Sequence, residues 1–223
     1  MISNMPNDGL ILAVDGPSGT GKSTTCRALA KKLDAKYVDT GAMYRVATLA
    51  VLRKGIDPAD TAAVIEATGD LPLEVNDDPD ATTVIFDGED VSGVIRGAEV
   101  TRHVSAVSAI PKVRENLVAL QRSLTTQAHR AIVEGRDIGT VVLADAPAKA
   151  FLTASARVRA QRRYDQDIAA GREADFDKVL ADVERRDAAD SSRAVSPLRP
   201  AEDAVIIDTS DMGRAEVQEA LIN

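Results

Sequence analysis

The chain alternates short, wholly apolar runs with longer stretches in which apolar residues return every three or four positions. Leu10-Ile11-Leu12-Ala13-Val14 contains no polar residue and is short, which predicts a strand buried on both faces. After a glycine-rich turn, Cys26, Leu29, Ala30 and Leu33 share one face of a helix over about 22–33. Tyr37-Val38 predicts a second strand, and 42–54 a helix that Gly55 stops. Asp60 is placed to cap a shorter helix ending near Gly69. The period then falls to two: Leu71, Leu73 and Val75 alternate with other residues, as do Val84 and Phe86, and Asp87-Gly88 is a hairpin signal. Helical spacing resumes near Ala98. Pro111 suits the first position of a further helix, with Val113, Leu117, Leu120 and Leu124 on its inner face. Buried strands are predicted at 131–134, 148–152 and 204–207, with arginine-rich helices over 156–169 and 176–188 and a closing helix over 216–222. Strands alternating with helices predict an α/β fold, a mostly parallel sheet covered on both faces, interrupted by a small antiparallel insertion.

Composition narrows the functional classes. The 223 residues suit one domain carrying a sizeable insertion, and 44% hydrophobic content is enough for a packed core. A net charge of −8 argues against duplex nucleic acid as a partner. With one cysteine, Cys26, and two histidines, His103 and His129, neither an intrachain disulfide nor a zinc site is expected. Cys26 reads as packing, and both histidines as structural or surface residues. Residues 1–9 hold no Lys or Arg and no long apolar run, so no secretory signal is expected, and no stretch has the length of a membrane span. A cytoplasmic monomer is the expectation.

The strongest local signal is Gly16-Pro17-Ser18-Gly19-Thr20-Gly21-Lys22-Ser23-Thr24, which meets G-x-x-x-x-G-K-[ST] at every fixed position. Glycines let backbone N–H groups turn inward around a phosphate, and the helix that starts at Lys22 directs its positive end at the same oxygens. Lys22 would reach the β- and γ-phosphates and the Ser23 hydroxyl would ligate Mg²⁺, in the usual arrangement for ATP. Placement between a buried strand and an amphipathic helix is the context the motif requires.

A phosphate loop alone does not separate a switch GTPase, a motor and a small-molecule kinase. No Asn-Lys-x-Asp element for guanine is present. Instead, arginines follow strand ends: Arg45 after the second strand and Arg136 after the third. Ligands of open parallel sheets bind beyond the carboxyl ends of the strands, so both arginines are expected in the crevice that holds the phosphate loop. Guanidinium forks there could clamp a second phosphate opposite the first. Such an acceptor needs no general base, because its second pKa is roughly 6 and it is already ionised near neutrality. Arg157, Arg159, Arg162 and Arg163 crowd one helix, either as a solvated face or as a lid, Arg157, Arg162 and Arg163 closing over ATP. Arg186 and Asp190 stand one helical turn apart, either as a simple ion pair or, with Arg193, as contacts to phosphate and ribose.

Taken together, these blocks resemble the bacterial cytidylate kinases, from about Leu10 to the C-terminus. The phosphate loop is widely shared. The more specific blocks are 39–45, 88–92, 135–142 and 186–198, in that order. The resemblance implies a P-loop fold with a five-stranded parallel core over about 10–55 and 131–223, a nucleotide-binding insertion over about 60–110 and a short lid over about 157–172. It implies ATP-dependent phosphorylation of CMP, with dCMP as a second acceptor. By resemblance Ser105, Arg114 and Asp137 recognise cytosine, and Arg45, Arg136 and Arg193 hold the CMP phosphate. Thr40 lies near the nucleotide, and Arg186 and Asp190 sit by sugar and phosphate. Lys22, Arg136, Arg186 and Arg193 are then the catalytic set. Thr40 stands where family members often carry Ser, and the hydroxyl is retained. The carboxylate that approaches the metal is open between Asp39, Glu134 and Asp137.

Overall fold

The structure, a computed structural model, describes residues 9–81 and 83–223. The polar stretch read ahead of the first strand lies, Gly9 apart, outside the described residues. Five parallel strands form the central sheet: β1 (Ile11–Asp15), β2 (Lys36–Asp39), β6 (Ala131–Gly135), β7 (Ala148–Thr153) and β8 (Val205–Asp208). Their order is β2-β6-β1-β7-β8, every neighbouring pair parallel. β1 is central, which explains why its sequence is apolar without alternation. Leu12 and Val14 enter one core layer with Cys26 and Leu29 of α1 (Lys22–Lys32) and Val217 and Leu221 of α8 (Arg214–Ile222). Ala13 faces the opposite layer, with Val118 of α5 (Pro111–Gln127) and Ile138. The register sets Asp15 level with Gly135 and Phe151, so the strands end together and their carboxyl ends share one rim.

α2 (Thr40–Arg53) starts two residues before the expected Ala42, because Asp39 caps it: its carboxylate accepts the Ala42 N–H at 3.0 Å. Gly55, at φ 67°, supplies the left-handed stop. α3 (Thr61–Thr68) is capped by Asp60 as the sequence suggests. β3 (Leu73–Glu74), β4 (Ile85–Phe86) and β5 (Glu89–Asp90) make the small antiparallel sheet. Its turn has positive φ at both Asp87 and Gly88, the pattern a two-residue hairpin demands. Phe86, Val91 and Ile95 pack on Val46, Leu49 and Ala50 of α2, and α4 (Ala98–Ser108) adds Val100 to the same cluster. The insertion therefore rests on one helix of the core.

α6 (Ala156–Ala169) and α7 (Phe176–Ser191) follow β7. α7 runs on to Ser191 rather than ending at Ala188, which carries Asp190 into the helix on the same face as Arg186. Among the described residues no helix is long and apolar enough to cross a membrane.

Candidate active site

The phosphate loop wraps the rim end of β1. Gly16 has φ 146°, and a β-carbon there would stand 2.0 Å from the Leu152 carbonyl oxygen of β7, so only glycine can occupy the position. Lys22 is buried, and its Nζ donates to the Gly16 and Pro17 carbonyls, both at 2.8 Å. Burial, and then the neighbouring Arg136 charge, push its ammonium pKa down to about 7. Ser23 Oγ donates to Glu134 Oε1 at 2.6 Å, and Tyr37 Oη donates to the same oxygen at 2.9 Å. Glu134 Oε2 is buried without a hydrogen-bond partner, and burial raises the pKa of that carboxyl.

A cavity of about 350 Å³ opens on this loop. Lys22, Ser23, Thr40, Arg45, Ser105, Arg114, Arg136, Asp137, Arg186, Asp190 and Arg193 all line it, so stretches far apart in the chain converge there. Thr40 Oγ1 donates to the Glu134 carbonyl at 2.7 Å. Arg136 bridges the two halves: Nη1 donates to Gly16 O at 2.9 Å and Nε to Asp190 Oδ2 at 3.0 Å. The Asp190 carboxylate thus serves Arg136, and no Arg186–Asp190 ion pair forms among the described residues. Arg45 is tied to the insertion, donating to Ile95 O at 2.7 Å and Thr101 Oγ1 at 2.9 Å. Burial, then the charges of Arg186 and Arg96, lower its pKa to about 9. Arg186 Nε and Arg193 Nε and Nη2 are buried without partners, and burial lowers both pKa values. Such donors cost free energy when unpaired, and both side chains belong to the lining of one cavity.

At the far end of that cavity Arg114 and Asp137 form a buried ion pair, each side chain 4% exposed. Arg114 also donates to Ser108 O at 3.0 Å and lies over the Tyr44 ring, 5.1 Å from its centroid. Asp137 is therefore spent on Arg114, and Asp39 on its helix cap. Of the three carboxylates left open by the sequence, Glu134 alone combines a free buried oxygen with a bond to Ser23.

A second cavity, about 790 Å³, meets the first at Ser18, Gly19, Gly21, Thr24, Arg163 and Arg186, with α6, α7 and residues 212–214 as its other walls. Arg162 and Arg163 line it. Arg157 lines neither cavity: its guanidinium stacks on Phe176 at 5.4 Å, so it is not brought to the site with the other two. Arg159 was not singled out from the sequence among its neighbours. It is buried, donates to Ser18 O at 3.3 Å and pairs with Asp187. Asp15 was missed too. It is buried at the loop's origin, and burial pushes its pKa up to about 6. Its only sequence signal was a carboxylate closing an apolar strand.

The comparisons with known proteins agree with this geometry. The family model described as cytidylate kinase matches residues 12–223. A protein of Corynebacterium glutamicum named cytidylate kinase is 70% identical over 219 residues, covering 98% of this chain and 95% of that protein. One of Corynebacterium efficiens with the same name is 71% identical over 218 residues, with the same coverage of both chains. One of Rhodococcus opacus, also so named, is 61% identical over 213 residues, covering 96% of this chain and 93% of the relative. A family model matched over residues 12–223 and relatives 61–71% identical over nearly the whole chain make this chain a member of the cytidylate kinase family.

Proposed function

We propose that the chain transfers the γ-phosphoryl group of ATP to CMP, giving ADP and CDP, with dCMP as a second acceptor. The observation that carries this reading is the pair of cavities meeting at the phosphate loop, the smaller lined by arginines, among which Arg186 and Arg193 keep buried N–H groups without partners. In a chain of net charge −8, cations gathered and left unpaired in this way call for a polyanion. The larger cavity takes ATP. Backbone N–H groups of the loop bind its phosphates, Lys22 neutralises the β- and γ-phosphates, and Arg162 and Arg163 close over them.

CMP enters the smaller cavity with its phosphate toward Arg45, Arg136 and Arg193. Its base points to Ser105, Arg114 and Asp137, which offer both donors and acceptors to cytosine. Asp190 orients Arg136 beside the sugar. Arg186 lines both cavities, where it can follow negative charge as it moves between the two nucleotides. The acceptor oxygen is already ionised, so positioning and charge neutralisation suffice.

The site also suits Mg²⁺. Among the described residues no cluster of three or more His, Cys, Asp or Glu could hold a metal, which fits an ion held largely by phosphates. Ser23 would hold it directly and Glu134, with its unpartnered Oε2, through water. When bound, Mg²⁺ neutralises charge on the transferring phosphate. The same reading divides the chain into a core, a CMP-binding insertion and a lid, and describes a cytoplasmic monomer.

The test is an ADP-release assay with Mg²⁺–ATP and a panel of acceptors. CMP and dCMP should drive release, and AMP and GMP should not. CMP no better than AMP or GMP would reject the substrate. Release independent of any acceptor would instead favour a nucleotide-gated interaction module.

A further inference from the structure

Asp137 stands at the head of a short helical turn, Ile138–Val142. A carboxylate at that position ordinarily folds back to accept the first free N–H groups of its own turn. Asp137 makes no such cap, and its Oδ2 holds Arg114 instead. The two N–H groups are taken by a residue far away in sequence: Asp15 Oδ1 accepts Ile138 N–H at 2.8 Å, and Oδ2 accepts Gly139 N–H at 2.7 Å. The approach is close. A β-carbon on Gly139 would lie 3.4 Å from Asp15 Oδ2 and 3.2 Å from the Lys149 stem. Asp15 also immediately precedes Gly16, whose carbonyl accepts from Arg136.

We infer that Asp15 is a positioning residue for recognition of the acceptor base: by capping the 138–142 turn from the neighbouring strand, it releases the Asp137 carboxylate to hold Arg114. The inference rests on the cytosine-binding reading above. Without the cap, two buried amides lose their acceptor, and the nearest carboxylate able to replace it is that of Asp137. Asp137 then turns inward, Arg114 loses its partner, and the base end of the cavity loses its shape. The phosphate loop keeps its own hydrogen bonds, so the loss falls mainly on the acceptor.

The experiment compares kcat and KM for CMP, UMP and ATP in the wild type, Asp15→Asn, Asp137→Asn and the double variant. Asp15→Asn retains one carbonyl acceptor but faces the second amide with an NH₂ group. Its CMP KM should rise about tenfold, and its preference for CMP over UMP should fall by a similar factor, the scale of one charged hydrogen bond. KM for ATP should change less than KM for CMP. In the Asp137→Asn background, Asp15→Asn should change the CMP preference little, since its effect passes through that carboxylate. A uniform loss of kcat on both acceptors with the ratio unchanged would overturn the inference, and so would additive effects in the double variant. Should Asp15→Asn fail to fold, Gly139→Ala decides by the same ratio, because its methyl, 3.2 Å from the Lys149 stem and in contact with the Asp15 carboxylate, displaces the amide that the carboxylate caps. A wild type with no preference for CMP would sink the cytosine reading itself; a preference untouched by these variants would sink only the role of Asp15.

Discussion

The two sides of the crevice are built on different plans. On the side proposed for ATP, one unbroken stretch, residues 16–24, forms the loop, and its cation is held by the loop itself: Lys22 donates to Gly16 and Pro17. On the acceptor side, the groups come from α2, α4, α5, the turn after β6, α7 and the segment beyond it, and several of their donors have no protein partner. The first side is complete without a substrate, while the second is a set of charges that its ligand would finish. Substitutions on the two sides should therefore divide differently between turnover, stability and affinity.

The largest effect is expected at Lys22. Lys22→Ala removes the charge that follows the γ-phosphate, and turnover should fall by roughly 10²–10³-fold, the loss typical for one transition-state donor. Its two partners keep other donors, Arg136 on the Gly16 carbonyl and Thr20 on the Pro17 carbonyl, so the circular dichroism spectrum and melting temperature should change little. Near-normal turnover would break the assignment of the loop.

Next come two arginines that look alike in sequence and differ in their packing. Arg114 belongs to a buried pair. Arg114→Ala strands the Asp137 carboxylate, so denaturant unfolding should report a loss of about 3–5 kcal/mol together with weaker CMP binding. Arg193 has two buried N–H groups without partners. Arg193→Ala should raise the CMP KM by about 10–100-fold, the range for charged hydrogen bonds to phosphate, with stability unchanged or improved. If Arg193→Ala destabilises as much as Arg114→Ala, the picture of an acceptor side awaiting its ligand fails.

The same contrast governs what could be read from the chain. The strand–loop–helix unit, the Asp87-Gly88 hairpin and the Pro111 helix start are local signals, each resting on a few adjacent residues. Arg45 and Arg136 were legible from their places beyond strand ends and Arg193 as one option beside Arg186 and Asp190, whereas Arg114 was placed only through the resemblance, because nothing near it in sequence announces a cavity. Contacts spanning about half of the chain left no signal: Asp15 reaches Ile138 across 123 positions, and Ser23 reaches Glu134 across 111. The inner face of α5 held a comparable surprise. Leu117 was expected there, but fully buried Gln121 and nearly buried Thr125 share it. Arg157 misled in the opposite sense. Its place among clustered arginines suggested the lid, while its partner is an aromatic ring on the next helix.

The smallest effect tests the electrostatics of the ATP side alone. Lys22 is surrounded by Arg136, Glu134, Cys26 and Asp15, and burial, followed by the Arg136 charge, depresses its pKa to about 7. At pH 8 most of the chains carry a neutral Lys22 before binding. A triphosphate laid against it favours the ammonium form and raises the pKa again, so binding must take up a proton. Phosphate oxygens are already ionised at that pH and contribute little of the opposite sign. Titration calorimetry of ATP in two buffers of different ionisation enthalpy should show uptake approaching one proton per site at pH 8 and far less at pH 6, where Lys22 is already charged. By itself that linkage should weaken affinity as pH rises from 7 to 8. CMP binding should show less uptake from Lys22, since its phosphate is placed against arginines. Equal uptake for both nucleotides would mean that the two sides of the crevice are coupled through Arg136 rather than separate.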